Sequence, residues 1–305
     1  MAVLGSGTRQ SLVEKGFLEK LERLTIHWQK SFPGLVGGRN ASRFSGPGLE
    51  FLDHRHFHHG DDLRAVNWRA YMRLEKLFLK MFQVEPRVPV RLLLDTSASM
   101  SGGDSGAAPA KFDYARRLAA ALSYVALVRL DTIALQPFTD TLHDSFLCGG
   151  GRHRFAPAVD FLTQLQTSRR TDFGLVVREF VGKYMQRGLL IVISDFLEAG
   201  DCRKHLQYLA DFGHELLLIQ LWADEDRTPP WDGELDLEDA ETGDHLDVSF
   251  DATARKDYTR AFDEYAEGIE RLAMSNGGRY IGLPTSVPIE DAIFGPLVRT
   301  KAIVG

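Results

Sequence analysis

Cysteine is nearly absent from this sequence. Cys148 and Cys202 are the two in 305 residues, and neither sits in a CxxC or Cys/His spacing. That excludes a disulfide scaffold and a zinc site built on cysteine, and it points to a reducing compartment. Also missing is any apolar run of about 18 residues, the length a membrane-crossing helix needs. The opening stretch, MAVLGSGTRQSLVEKGFLEKLERL, lacks a cationic start followed by an apolar core, so a cytoplasmic protein without a membrane span is expected. No excess of positive charge is present: net charge is −6, and no motif interleaves basic and aromatic residues, which argues against nucleic acid as a partner. Internal repeats and low-complexity segments are absent too. What remains is ordinary globular usage, 44% hydrophobic and 26% charged, in a chain long enough for one large domain or two modest ones.

Charge is uneven along the chain. Residues 1–90 carry 14 Lys and Arg against 9 Asp and Glu, and the remainder carries 22 against 33. The leucines Leu12, Leu18, Leu21 and Leu24 fall near one stripe, predicting an amphipathic helix over residues 9–24. Segment Pro33–Gly48 is rich in Gly, Ser and Pro and reads as turns and loop. Leu77–Val84 reads as a strand stopped by Pro86. From residue 88 short apolar runs alternate with amphipathic stretches. Strands are expected at Val90–Leu94, Thr132–Phe138, Leu189–Ile193 and Glu215–Trp222, and helices at Lys111–Arg129, Asp172–Met185, Asp201–Asp211 and Arg255–Ser275. Strands that are almost continuously Val, Ile and Leu, separated by helices, indicate a mostly parallel sheet covered on both faces, a doubly wound α/β fold. Glu234–Phe250 alternates on both sides of Thr242-Gly243-Asp244, predicting a β-hairpin inserted at about 233–250. The expected organisation is a small N-terminal subdomain over 1–86, the α/β domain over 87–285 and a C-terminal tail over 286–305.

The chemistry-bearing residues stand at the end of the first sheet strand, in VRLLLDTSASM. Ligands of open α/β sheets bind beyond the carboxyl ends of the strands, near the point where strand order reverses. A carboxylate and two hydroxyls at alternate positions, Asp95, Ser97 and Ser99, can turn three oxygens toward one point, and hard cations such as Mg²⁺ select oxygen ligands. Asp195, in IVISDF, is a second oxygen source at another strand end; the Thr171 hydroxyl, in a loop before a helix, is a third.

This order, Asp-x-Ser-x-Ser, then Thr, then Asp, resembles the metal-ion-dependent adhesion site of von Willebrand factor A domains. The wider context resembles one bacterial and archaeal branch, the family catalogued as domain of unknown function fifty-eight. GDDLRAVNWRA, DTSASM, TDFG and ISDF carry that resemblance over roughly residues 45–285. The family's usual form has Ile-Asp-Trp where this chain has Val66-Asn67-Trp68. The resemblance implies Mg²⁺ (or Mn²⁺ or Ca²⁺) held by Asp95, Ser97 and Ser99, with Thr171 direct or through water and Asp195 through water. It implies one open coordination position filled by a carboxylate of a partner protein. Members are commonly encoded beside AAA+ ATPases of the MoxR type, which makes such an ATPase the leading partner by analogy.

Blander readings stand beside these. Asp95, Ser97 and Ser99 could serve only loop hydrogen bonds; Thr171 or Asp172 could cap the following helix; Asp195 could be satisfied by backbone N–H groups. The run Asp53–His59 would place His54, His56 and His58 on one strand face, yet no carboxylate or cysteine spacing confirms a second metal site. Asp61, Asp62, Arg64, Trp68 and Arg69 could form a polar network anchoring the N-terminal part to the sheet domain. Gly102–Gly106 lacks the Gly-Lys-Ser/Thr of a P-loop and reads as a flexible lip. The function expected is a non-catalytic, cation-dependent protein-binding module acting with an AAA+ ATPase in protein assembly or remodelling. One rival is a metal-dependent phosphoryl-transfer or hydrolytic enzyme using Asp95; such enzymes of the haloacid dehalogenase type carry a second aspartate at +2, where this chain has Ser97. Another is a structural scaffold in which the metal ties loops together.

Overall fold

The computed structural model describes residues 12–27, 50–59, 61, 63, 66–83, 89–102, 109–129, 132–149, 151–198 and 200–304. In chain order the elements are α1 (Lys15–Leu21), β1 (Thr25–Ile26), β2 (Glu50–His56), α2 (Trp68–Leu74), β3 (Phe78–Gln83), β4 (Val90–Asp95), α3 (Lys111–Val128), β5 (Ile133–Phe138), β6 (Phe146–Cys148), α4 (Phe155–Gln164), α5 (Phe173–Lys183) and β7 (Leu189–Ser194). There follow α6 (Cys202–Asp211), β8 (Glu215–Trp222), α7 (Asp224–Arg227), β9 (Gly233–Glu238), β10 (His245–Phe250), α8 (Ala252–Ser275), β11 (Arg279–Pro284), α9 (Ile289–Ala292) and β12 (Ile303–Val304).

Six strands form the central sheet in the order β11-β8-β7-β4-β5-β6. All neighbours are parallel except the edge strand β6, which runs antiparallel to β5. The expected mostly parallel, doubly wound sheet is therefore present. Its order grows outward in both directions from β4, so the reversal lies between β4 and β7. The four central strands are buried along nearly their whole length, which their predominantly apolar content requires of a sheet covered on both faces. Each such side chain contributes about 1.5–3 kcal/mol on burial. On one face α5, α6 and α8 close a core of Phe173, Val176, Phe180, Leu206 and Ile269 against Leu190, Val192 and Leu218. Helix α3, on the sheet's other side, is buried almost throughout. Its alanines, Ala115, Ala119, Ala120, Ala121 and Ala126, let neighbours approach it from several directions.

The chain divides into two compact units, residues 1–30 with 89–305, and residues 31–88. These are not the divisions expected from the sequence. The N-terminal helix and β1 belong to the sheet unit rather than to a subdomain over 1–86, and the segment expected as a tail over 286–305 carries α9 and β12. Strand β12 pairs antiparallel with β1, Thr25 opposite Val304 and Ile26 opposite Ile303. Burial of Leu21, Leu24, Ile26, Ala302 and Ile303 holds the two ends together. The predicted helix over 9–24 is shorter, Lys15–Leu21, and its residues 9–11 lie outside the described residues.

In the smaller unit β2 pairs antiparallel with β3, with a register shift between Phe51 and Asp53. Asn67 caps α2, its Oδ1 accepting the Ala70 N–H at 3.3 Å, while its Nδ2 lies 2.7 Å from His54 Nε2. An amide in place of the family's carboxylate thus still serves the cap. Of the five residues expected in a polar network, Asp61, Trp68 and Arg69 lie among those described. Asp61 takes both guanidinium nitrogens of Arg55, at 2.7 and 2.8 Å, Trp68 is exposed and meets Tyr71 edge-on, and Asp62 and Arg64 lie outside the described residues. His54 and His56 flank the Phe78 ring. Among the described residues no group of three His, Cys, Asp or Glu side chains could hold a metal. Pro33–Gly48 and residues 103–106 of the expected lip also lie outside the described residues.

Candidate metal and adhesion site

Strands β4 and β7 lie side by side at the reversal; β4 ends on Asp95, and Asp195 immediately follows β7. The loop after β4 is pinned on two sides. Thr96 N–H and Oγ1–H both donate to Phe138 O at 2.9 Å. Ser168 N–H donates to Thr96 O at 2.9 Å and Ala98 N–H to Arg169 O at 2.8 Å, which brings the loop before α5 against Ser97–Ser99. Two residues in these loops have left-handed backbone, Arg169 (φ 60°) and Phe196 (φ 57°). For a phenylalanine that is a costly conformation, roughly 1–3 kcal/mol, which persists only where the surroundings over-determine it. Phe196 is held by its stacking on Phe173, with ring centroids 5.8 Å apart, and by its N–H donating to Ser194 Oγ at 2.8 Å. The turn it makes lies immediately after Asp195.

Asp95 is fully buried. Its Oδ1 accepts the Ser97 N–H at 2.9 Å, and its Oδ2 accepts the Ser194 hydroxyl at 2.5 Å. No cation faces it among the described residues. Burial first, and then the charge of Asp195, push its carboxyl well above the usual carboxylate range, against the pull of the Ser194 and Ser97 hydrogen bonds. Ser97 Oγ lies 3.0 Å from Ser99 Oγ, so both hydroxyls turn to the same side of the loop.

Thr171 N–H and Oγ1–H donate to the two carboxylate oxygens of Glu241, at 3.2 and 3.3 Å. Capping of α5 falls to Asp172, which accepts the Leu175 N–H at 2.9 Å; the Thr171 hydroxyl is therefore released from the capping role. Asp195 has both oxygens engaged, Oδ2 with Lys111 Nζ at 2.8 Å and Oδ1 with the Leu197 N–H at 3.1 Å. Lys111 reaches Asp226 as well, at 3.1 Å. Burial works against its charge, but the two carboxylates hold its ammonium above the ordinary lysine value.

The structure thus joins Asp95, Ser97 and Ser99 in one run of hydrogen bonds, Ser194–Asp95–Ser97–Ser99, with the Thr171–Glu241 pair lining the same cavity as Ser99 and Asp195 close enough to act on Asp95 by charge. Reading of the sequence omits Ser194, Lys111, Asp226 and Glu241. Ser194 had a signal, its place beside Asp195 at the strand end. Lys111, Asp226 and Glu241 had none, since each arrives from a distant element. A cavity of about 780 Å³ opens over this network, lined by Ser99, Lys111, Arg170, Thr171, Glu198 and Glu241 among others.

The residues fit a divalent cation. Asp95 is a buried carboxylate with only neutral donors around it, beside hydroxyls and a second carboxylate, a set of hard oxygens whose charge a cation would balance.

The chain is 25% identical over 268 residues to "Uncharacterized protein Rv1480" of Mycobacterium tuberculosis and, to the same extent, to "Uncharacterized protein Mb1516" of Mycobacterium bovis, covering 87% of this chain and 84% of each relative. Among solved structures it is similar to the conserved hypothetical protein BatB from Bacteroides thetaiotaomicron (18% identity, TM-score 0.42, 70% of this chain and 98% of that one) and to the SpRpn10 VWA domain (13%, 0.37, 68% and 93%). The model of the family described as "Protein of unknown function DUF58" matches residues 53–267. With that match spanning well over half of the sequence, the chain belongs to the DUF58 family.

Proposed function

We propose that this protein is a divalent-cation-dependent protein-binding module. Asp95, Ser97 and Ser99 would hold Mg²⁺ or Mn²⁺, with Thr171 and Asp195 in supporting positions. The observation that carries the reading is Asp95 itself, a wholly buried carboxylate at the sheet's reversal with no cationic partner among the described residues. Asp195 fits an indirect role, because the Lys111 ammonium already balances its charge, whereas the donors bonded to Asp95 are neutral. When bound, the ion supplies a concentrated positive charge that a partner's carboxylate can meet. A non-catalytic role is favoured by Ser97, which stands two residues after Asp95 where aspartyl-phosphate enzymes of the haloacid dehalogenase type carry a second aspartate. By family analogy the partner is a MoxR-type AAA+ ATPase, and the setting is the cytoplasm, where Mg²⁺ is abundant. That no helix of the described residues is long and apolar enough to cross a membrane is compatible with this setting.

Calorimetric titration of the chelator-stripped protein with Mg²⁺ and Mn²⁺ tests the reading. Wild type is expected to bind one ion and Asp95→Asn, which keeps side-chain volume, to bind none while retaining its circular dichroism spectrum. Capture of the purified ATPase should then require the ion and fail in the variant. Equal binding by both proteins would overturn the assignment.

A further inference from the structure

The hairpin β9–β10 is an exposed ribbon whose tip turns back onto the site. From Asp236 to Asp247 every residue is exposed except Glu241, which is half-buried. Leu237 and Leu246, the apolar side chains of this stretch, point outward while a carboxylate is tucked in. Hydrophobic burial therefore does not hold the tip down. The tip is built to present that carboxylate: Asp239 Oδ1 accepts the N–H groups of Glu241 and Thr242 at 2.7 and 3.1 Å, and Gly243, at φ 74°, closes the turn with its N–H on Asp239 O at 2.8 Å. Glu241 then accepts from the N–H and Oγ1–H of Thr171, a residue assigned to the cation site, and lines the same cavity as Ser99, another of those residues.

We propose that Glu241 is an internal ligand of the adhesion site, an acidic side chain of the chain itself standing where a partner's carboxylate would enter, so that the β9–β10 hairpin latches the site and an acidic partner must displace it. This rests on the cation reading above. A two-stranded ribbon is marginally stable by itself in water, so its tip can be released without unfolding the sheet unit. The occupant that competes for the position is an Asp or Glu side chain of a partner protein, since only a carboxylate replaces the group it removes. Arg170, lining the same cavity, offers that incoming carboxylate a second positive charge.

The test uses Mn²⁺ as the probe, with water-proton relaxation to count the waters on the bound ion and calorimetry for affinity, on wild type, Glu241→Gln and the tip control Thr242→Ala. The expected result is one more water on Mn²⁺ in Glu241→Gln than in wild type, affinity weaker by about tenfold, and no change in Thr242→Ala. Acetate added to the Mn²⁺-loaded proteins should remove that extra water in Glu241→Gln at lower concentration than it affects wild type. Identical hydration and affinity in wild type and Glu241→Gln would overturn the latch while leaving the cation reading intact. Equal changes in both variants would also overturn it, by showing that tip shape rather than the carboxylate matters. Absence of Mn²⁺ binding in wild type would overturn the cation reading, and the latch with it.

Discussion

Replacing Lys111 by methionine removes one charge from the most deeply buried ion pair at the site and keeps most of the side-chain volume. Lys111 and Asp195 are only 3% and 1% exposed, and the ammonium lies 2.8 Å from Asp195 and 3.1 Å from Asp226. Asp226 is partly exposed and water can solvate it, but Asp195 is left as an uncompensated buried carboxylate near Asp95, which is already disfavoured as an anion. Breaking a buried pair by removing one partner costs about 3–5 kcal/mol, most of it the penalty of the stranded charge. For a domain of this size 1 kcal/mol moves the melting temperature by about 2–4 °C, so the variant should melt roughly 6–20 °C lower. Helix α3 itself is little affected, since methionine and lysine have nearly equal helix propensity. Calorimetric melting at pH 7 measures the loss. The double variant Lys111→Met/Asp195→Leu should recover most of it, because the stranded charge is gone. A Lys111→Met protein melting within about 1 kcal/mol of wild type would refute the reasoning, as that is the range of solvent-exposed pairs.

Asp251 caps α8 by accepting the N–H groups of Thr253 and Ala254 at 2.8 and 2.7 Å, so Asp251→Ala should cost about 0.5–2 kcal/mol in urea unfolding; an unchanged midpoint would show that the cap is idle. Burial pushes the Cys202 thiol up to about 11, with its Tyr265 hydrogen bond acting the other way. In a Cys148→Ser background it should therefore react with a disulfide reagent at pH 8 far more slowly than in urea, since the thiolate is the nucleophile. Because the folded value is raised, the native state holds this proton more tightly, and its contribution to stability falls as pH rises past the ordinary thiol range toward 11. Equal labelling rates with and without urea would contradict the burial.

Much of the sheet was legible because its strands are hydrophobic on both faces. Glu215–Trp222 matches β8 at both ends, and Val90–Leu94, Thr132–Phe138 and Leu189–Ile193 miss β4, β5 and β7 by one residue at one end. The hairpin was legible through its alternation, and its strands end at Glu238 and His245 around the expected turn. Short elements escaped: β6, three residues at an antiparallel edge, and β12, two residues, are too brief to leave a periodic pattern. Helix α4 does display a helical pattern, with apolar Phe155, Ala158 and Leu162 on one stripe.

The parallel α/β core and the oxygen-rich ends of β4 and β7 follow from contiguous residues, through the local hydrophobic pattern and the positions of Asp95 at the end of β4 and Asp195 just after β7. Which groups complete the site depends on long-range packing. Lys111 reaches Asp195 from the start of α3, Asp226 joins from α7, and Glu241 arrives from the tip of a hairpin, each separated in sequence from the residue it meets. Such pairings come from the packing of helices and loops over the sheet's carboxyl edge, a geometry that local sequence pattern does not encode.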